Sequence, residues 1–242
     1  MTADGQSIYA YEALSRGLTD TVLFSPIKLF EQAKRQHKLF ALESICRTKA
    51  IEQFTQQQLP GKLFLNISPE TLLQPDHQKG LTLELVNAFG ISPEQVVIEI
   101  TEHSPTHDYA LMRRAVQHYQ CEGFSIALDD LGAGYSSLRL WLEVQPEFVK
   151  IDRHFISGVE DDRVKREFVR SMLNIARSVN SQVIAEGIET QHEFEALQEM
   201  GVDYLQGYYF ARPNPVPVQH ISQADLQLTE SYAFEPCQAA LH

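Results

Sequence analysis

Six short segments of this chain pass from apolar, strand-like residues into carboxylates or a lone amide. They are Tyr11-Glu12-Ala13-Leu14, Leu65-Asn66-Ile67-Ser68, Ile98-Glu99-Ile100-Thr101-Glu102, Ala127-Leu128-Asp129-Asp130, Val149-Lys150-Ile151-Asp152 and Ile184-Ala185-Glu186-Gly187-Ile188-Glu189. Phe64, Val97, Ile126, Phe148 and Val183 supply the strand character just before the polar groups. Polar residues repeated at the C-terminal ends of buried parallel strands are how a β/α barrel builds a catalytic mouth. These segments carry eight acids, which would repel one another unless a cation sat among them. Asp, Glu and Asn oxygens suit hard divalent ions such as magnesium and manganese. The segments therefore point to a metal-dependent barrel enzyme.

The pattern between the segments agrees. Strands are predicted over 8–14, 63–67, 96–100, 124–128, 148–151, 182–185 and 202–206. Helical stretches separate them. Ser25-Pro26 opens one as cap and first-turn proline, and the pattern runs with breaks to about Phe54. Residues 81–89 form another, closed by Gly90. Leu111, Met112, Ala115, Val116 and Tyr119 recur at helical spacing, as do Val164, Phe168, Leu173, Ile175, Ala176 and Val179. A short helix is expected over 136–142, and Thr190 with Glu193 makes a capping box for the last. Gln74-Pro75-Asp76 reads as a loop. Alternating strands and helices mean a parallel sheet. Seven strands are found where a closed barrel of this kind needs eight. After Pro213 the pattern decays: 1–213 reads as the barrel and 214–242 as a linker or weakly helical tail.

A chain of 242 residues with 43% hydrophobic content supports one large domain. Its net charge of −12 argues against a surface that coats DNA or RNA. It does not exclude an anionic substrate, since bound metal reverses the local sign. Cys46, Cys121 and Cys237 are odd in number and lack metal-ligand spacing, which reads as free thiols in a reducing, cytoplasmic compartment. There is no apolar run of about 18 residues and no signal-peptide pattern.

Several residue pairs could carry chemistry. Neighbouring strand residues point to opposite faces, so Asp129 and Asp130 can share a site only if the backbone turns there. Leu131-Gly132-Ala133-Gly134 offers that turn. Such a doublet suits two metals about 3.5–4 Å apart, and reads equally as a charged strand end. Lys150 and Asp152, two apart, would share a face. The lysine could orient a metal-bound water or form a structural ion pair. Glu186 and Glu189 flank a glycine, with Glu189 near a helix start that favours negative charge. Asn66 and Ser68 alone would be turn and cap residues.

Taken together, these segments resemble the EAL domain of cyclic di-GMP phosphodiesterases. The resemblance runs in order from Tyr11 to Pro213. It includes Glu12-Ala13-Leu14 with Arg16, the Asn66 segment, Glu99-Ile100-Thr101-Glu102, Asp129 through Ser137, Lys150-Ile151-Asp152-Arg153, Glu186 through Thr190, and Gln206-Gly207-Tyr208-Tyr209-Phe210. It implies a modified (β/α)8 TIM-type barrel that hydrolyses cyclic di-GMP to linear pGpG. By resemblance, Glu12, Asn66, Glu99 and Asp129 hold one Mg²⁺ or Mn²⁺, and Asp129, Asp130 and Glu186 hold a second. Lys150 and Asp152 position and activate water, supported by Glu189. Arg16 contacts a substrate phosphate, Gln206 lines the site, and Glu102 anchors the Gly-rich loop, coupling it to metal binding and a homodimer interface. Calcium is expected to inhibit.

Three departures accompany the resemblance. Leu131 and Ala133 stand where the family usually has phenylalanine and threonine. The region after Pro213 matches poorly. Residues 1–5 correspond to the turn after the family's first strand, which carries a substrate-contacting glutamine, so the barrel is expected to lack that strand. A rival reading follows: a non-catalytic EAL module that binds cyclic di-GMP as a receptor. Other signalling domains in a longer parent, membrane-anchored or not, are compatible with either.

Overall fold

The computed structural model describes residues 1–72, 80–101, 108–132 and 137–221. Its seven strands are β1 (Ala10–Glu12), β2 (Lys62–Asn66), β3 (Val96–Ile100), β4 (Ser125–Leu131), β5 (Phe148–Ile151), β6 (Gln182–Ala185) and β7 (Tyr204–Leu205). They form one sheet in sequence order, every neighbouring pair parallel. Among the described residues nine α-helices lie between them: α1 (Pro26–Arg35), α2 (Leu39–Gln56), α3 (Pro69–Leu72), α4 (Leu81–Ala88), α5 (Tyr109–Cys121), α6 (Ser137–Val144), α7 (Arg153–Ile156), α8 (Arg163–Ser178) and α9 (Gln191–Met200). The short α3 and α7 were not expected as helices from the sequence, although Ser68-Pro69 carries a helix-start signal.

The curled sheet has seven strands, one fewer than a closed (β/α)8 barrel. At the β7 edge, Met1 and Leu205 exchange backbone hydrogen bonds of 2.8 and 3.0 Å, and Thr2 bridges Tyr204 antiparallel. Side chains also link β7 to the β1 side. Tyr9 stacks on Tyr204 at 3.8 Å between ring centres, and Gln206 Nε2 donates to Glu12 Oε2 at 2.6 Å. Residues 214–221 return beneath the strands: the Pro215 carbonyl accepts from Gln53 and Gln57, and Tyr11 donates to the Val218 carbonyl.

Strand periodicity explains the interior. Side chains two apart on a strand share a face. Phe64, Val97, Ala127, Phe148 and Ile184, one from each of β2 to β6, form a separate apolar cluster joined by Tyr9, Ala10 and Tyr204. The intervening Leu65, Ile98, Leu128, Val149, Ala185 and Leu205 join the larger core shared with the helices. Moving two residues on from the inner cluster gives Glu12, Asn66, Glu99, Asp129, Lys150, Glu186 and Gln206. The inner face thus has an apolar layer, then a polar ring one step nearer the C-terminal ends of the strands. Full burial of one large apolar side chain stabilises by ~1.5–3 kcal/mol, so the apolar layer also offsets part of the cost of the charges above it.

Candidate active site

The polar ring closes on Lys150, whose side chain is 1% exposed. Its Nζ lies 2.7 Å from Glu186 Oε1, 3.1 Å from Asp129 Oδ1 and 3.3 Å from Glu12 Oε2, and it also pairs with Glu99. The carboxylates come from β1, β3 and β4 and the residue after β6, so four separate strand ends converge on one ammonium. Glu99 Oε1 and Asp129 Oδ1 are buried with only the lysine beside them, and Glu99 Oε2 is buried with no hydrogen-bond partner. Unpaired buried carboxylate oxygens are costly.

The electrostatics follow from that crowding. Burial alone would lower the pKa of Lys150, but Glu99, Glu186, Glu12 and Asp129 outweigh it and hold the ammonium well above the usual lysine range. Burial, reinforced by Glu12, Asp129 and Glu186, raises Glu99 well above the carboxylate range despite Lys150. Glu186 is pushed up to about 8, first by burial and then by Asp129 and Glu12, against the pull of Lys150. Burial opposes ionisation of Glu12 too, but Lys150, Gln206 and Asn66 together win and its pKa is lowered.

Asp129 and Asp130 share the site through a backbone turn that begins at Asp130 itself and continues at Gly132, whose φ is 100°. The β4–β5 register shifts between Leu128 and Leu131, and Asp130 itself adopts a left-handed φ of 55°. Aspartate tolerates that region better than most residues because its short polar side chain can bond locally. The bulge turns Asp130 back toward its neighbour. Asp129, Asp130 and Glu186 then have carboxylate oxygens within 4.8 Å of one another.

The remaining sequence candidates are placed unequally. Asp152 lies one residue beyond β5, as Glu186 lies one residue beyond β6. Asp152 Oδ1 caps α7 by accepting from His154 N at 2.8 Å. Glu189 pairs with Arg153 at 2.8 Å near the surface. Arg16 is exposed and donates to the neighbouring Ser15 carbonyl. Glu102, the loop residues Ala133 to Ser136 and the segment Gln74-Pro75-Asp76 lie outside the described residues, as does the chain beyond Ile221. A cavity of about 240 Å³ lined by Gln6, Ser7, Ile8, Pro60, Gln219, His220 and Ile221 sits before β1 and β2, at the end of the sheet away from the acids.

Sequence reasoning missed two buried carboxylates outside the ring. Glu43 on α2 accepts from Ser68 N at 3.2 Å, just after Asn66, and burial raises its pKa. Glu193 was read only as a helix cap, yet its side chain also reaches the turn at Gly158. A charged residue on the inward stripe of a predicted helix was the available signal for Glu43; no local pattern pairs Glu193 with Gly158.

The donor set fits divalent cations. It is all oxygen, carries excess negative charge, includes a buried carboxylate oxygen without a hydrogen-bond partner, Glu99 Oε2, and brings three carboxylates within reach of one ion.

Comparison with known proteins agrees in fold and composition. The model of the EAL domain family matches residues 1–213. The chain is 34% identical over 152 residues to the probable cyclic di-GMP phosphodiesterase PdeA of Escherichia coli (strain K12), covering 63% of this chain and 21% of that protein. It is 30% identical over 215 residues to an uncharacterised signalling protein of Caulobacter vibrioides, covering 88% of this chain and 26% of that protein. The chain thus spans about a quarter of the length of these curated relatives. Among solved structures, a standalone versatile EAL protein from Vibrio cholerae O395 in its c-di-GMP-bound form superposes with a TM-score of 0.81 at 29% identity, covering 93% of each chain. A calcium and cyclic di-GMP complex of BlrP1 from Klebsiella pneumoniae gives 0.82 at 28% identity, covering 91% of this chain and 55% of that one.

Proposed function

Because the chain belongs to the EAL domain family, we propose that it is a metal-dependent phosphodiesterase that hydrolyses cyclic di-GMP to linear pGpG. The observation that carries this reading is the convergence of Glu12, Glu99, Asp129 and Glu186 on Lys150, with Asp130 turned in beside them. A protein that only bound an anion would have little use for so much negative charge.

In this reading Glu12, Asn66, Glu99 and Asp129 hold one Mg²⁺ or Mn²⁺, and Asp129, Asp130 and Glu186 hold another. Bound divalent ions would lower the pKa of water and neutralise charge on the phosphate. Lys150 orients the attacking water. Asp152, one oxygen fixed by the α7 cap, takes up its proton. A bond forms from water oxygen to phosphorus, the bond from phosphorus to the 3′ oxygen breaks, and that oxygen takes a proton from solvent to leave as a hydroxyl while Asp152 gives its own proton back to solvent. Arg16 and Gln206 hold the substrate, and Glu189 supports the network from the surface.

The wider reading has the barrel over 1–213 followed by a separate tail over 214–242, and a homodimer coupled through Glu102 and the loop after Asp130. It also has cytoplasmic exposure of this domain within a longer signalling protein. Among the described residues no helix is long and apolar enough to cross a membrane.

The test is to incubate the protein with cyclic di-GMP and Mg²⁺ or Mn²⁺ and follow pGpG by chromatography. Turnover is expected, and Glu12→Ala or Asp129→Ala should abolish it. Near-normal turnover in either variant would overturn the ligand assignment. Tight binding without turnover in the parent chain would favour the receptor reading instead.

A further inference from the structure

Resting on the phosphodiesterase reading, we propose that Glu193 is a positioning residue that locks the exits of β5 and β6 to each other. Its carboxylate is 4% exposed yet accepts three backbone N–H groups. Oε2 takes Glu189 N at 2.8 Å and Thr190 N at 3.1 Å. Oε1 takes Gly158 N at 3.0 Å. The first two belong to the segment that leaves β6 and carries Glu186 and Glu189. The third belongs to the turn after α7, the helix capped by Asp152. One buried side chain therefore spans two strand exits, and each delivers residues assigned to the chemistry.

A second contact joins the same segments from outside. Arg153 pairs with Glu189, and a Cβ at Gly187 would run into the Arg153 side chain. Gly187 also adopts a φ of +71°, which favours glycine. That outer pair is half exposed and held by two flexible side chains, so it constrains little. The buried carboxylate, with all three donors fixed on backbone, constrains much more. A capping box needs only an acceptor for the helix start. Glutamine would satisfy Glu189 N and Thr190 N through its single carbonyl oxygen but present an amide N–H to Gly158 N. The carboxylate is thus required for the Gly158 link and not for the cap.

That distinction gives the experiment. Glu193→Gln keeps the cap and cuts the link to Gly158. Thr190→Ala removes the hydroxyl that caps Glu193 N at 3.2 Å and leaves the carboxylate contacts in place. Both variants and the parent are compared for melting temperature, for kcat and KM with cyclic di-GMP, and for Mn²⁺ affinity by calorimetry. Outer-shell changes typically cost about 10- to 100-fold in metal affinity or activity. Glu193→Gln is expected to lose kcat and Mn²⁺ affinity in that range with KM little changed, while Thr190→Ala lowers the melting temperature and keeps both. Glu193→Asp, charged but too short to span both segments, should repeat the loss. If Glu193→Gln binds Mn²⁺ and turns over like the parent, or Thr190→Ala matches its losses, the proposal is overturned. A parent chain without turnover would count against the phosphodiesterase reading alone, and the Mn²⁺ affinities would still decide the role of Glu193.

Discussion

Lys150 stands among four carboxylates, and its removal should separate two effects. In chelator, Lys150→Ala leaves Glu12, Glu99, Asp129 and Glu186 without a counter-charge. Breaking a buried ionic cluster by deleting one partner costs about 3–5 kcal/mol, and denaturant melts should show a loss of that order. Saturating Mg²⁺ should restore most of it. Turnover should stay low even then, with substrate affinity nearly unchanged, because a water-orienting group acts in the transition state. Equal losses in affinity and rate would make Lys150 a substrate clamp. A second expectation concerns pH. Glu186 has an ordinary value of 4.5 and is pushed up to about 8 in the fold. Its proton therefore favours the folded state: that contribution is full below 4.5 and is lost as pH rises through about 8. Glu99 acts in the same direction. In chelator the melting temperature should fall as pH climbs through this window, and Glu186→Gln should flatten the slope. An unchanged slope in that variant would remove Glu186 as the cause.

At the scale of an element, the β4 bulge is what allows two adjacent aspartates to serve one site. Asp130 holds a φ of 55°, and asparagine tolerates that region while a β-branched residue does not. Asp130→Asn should change folding stability by no more than about 0.5 kcal/mol, the usual range for a change that breaks no backbone constraint, while losing most turnover. Asp130→Val should lose turnover and also about 1–3 kcal/mol of stability from strain. Calorimetric melts of both variants with activity assays check this. Equal stability in the two would mean that the bulge relaxes without Asp130.

For the whole molecule the decisive quantity is the sign of the field at the strand ends. The net charge is −12, and the described site sets five carboxyl groups, Glu12, Glu99, Asp129, Asp130 and Glu186, beside one buried lysine. A doubly anionic dinucleotide should be repelled until divalent ions reverse the local charge. Affinity for cyclic di-GMP, measured by calorimetry, should therefore be weak in chelator and rise with Mg²⁺. Calcium prefers longer bonds and more ligands, so it should support binding and suppress turnover. Binding of equal strength in chelator would show that the acids do not control the substrate.

Much of this was legible in the sequence because strand periodicity is local. Apolar residues at one position and polar ones two further on recur in β1 to β6, and the order of Glu12, Asn66, Glu99, Asp129, Lys150 and Glu186 was enough to read a parallel barrel with an acidic mouth. The strands over Val96–Ile100, Phe148–Ile151 and Gln182–Ala185 have the predicted bounds. Tertiary structure decided what depends on contacts across the sheet. It set Lys150 among carboxylates from separate strands, gave Asp152 a helix to cap, and started the turn after β4 at Asp130. It also brought Glu193 to Gly158, 35 residues away. Local pattern determines which face a side chain takes, because that depends on its own backbone. Which charges meet, and so which protons they keep, depends on how the sheet curls, and no single segment encodes that.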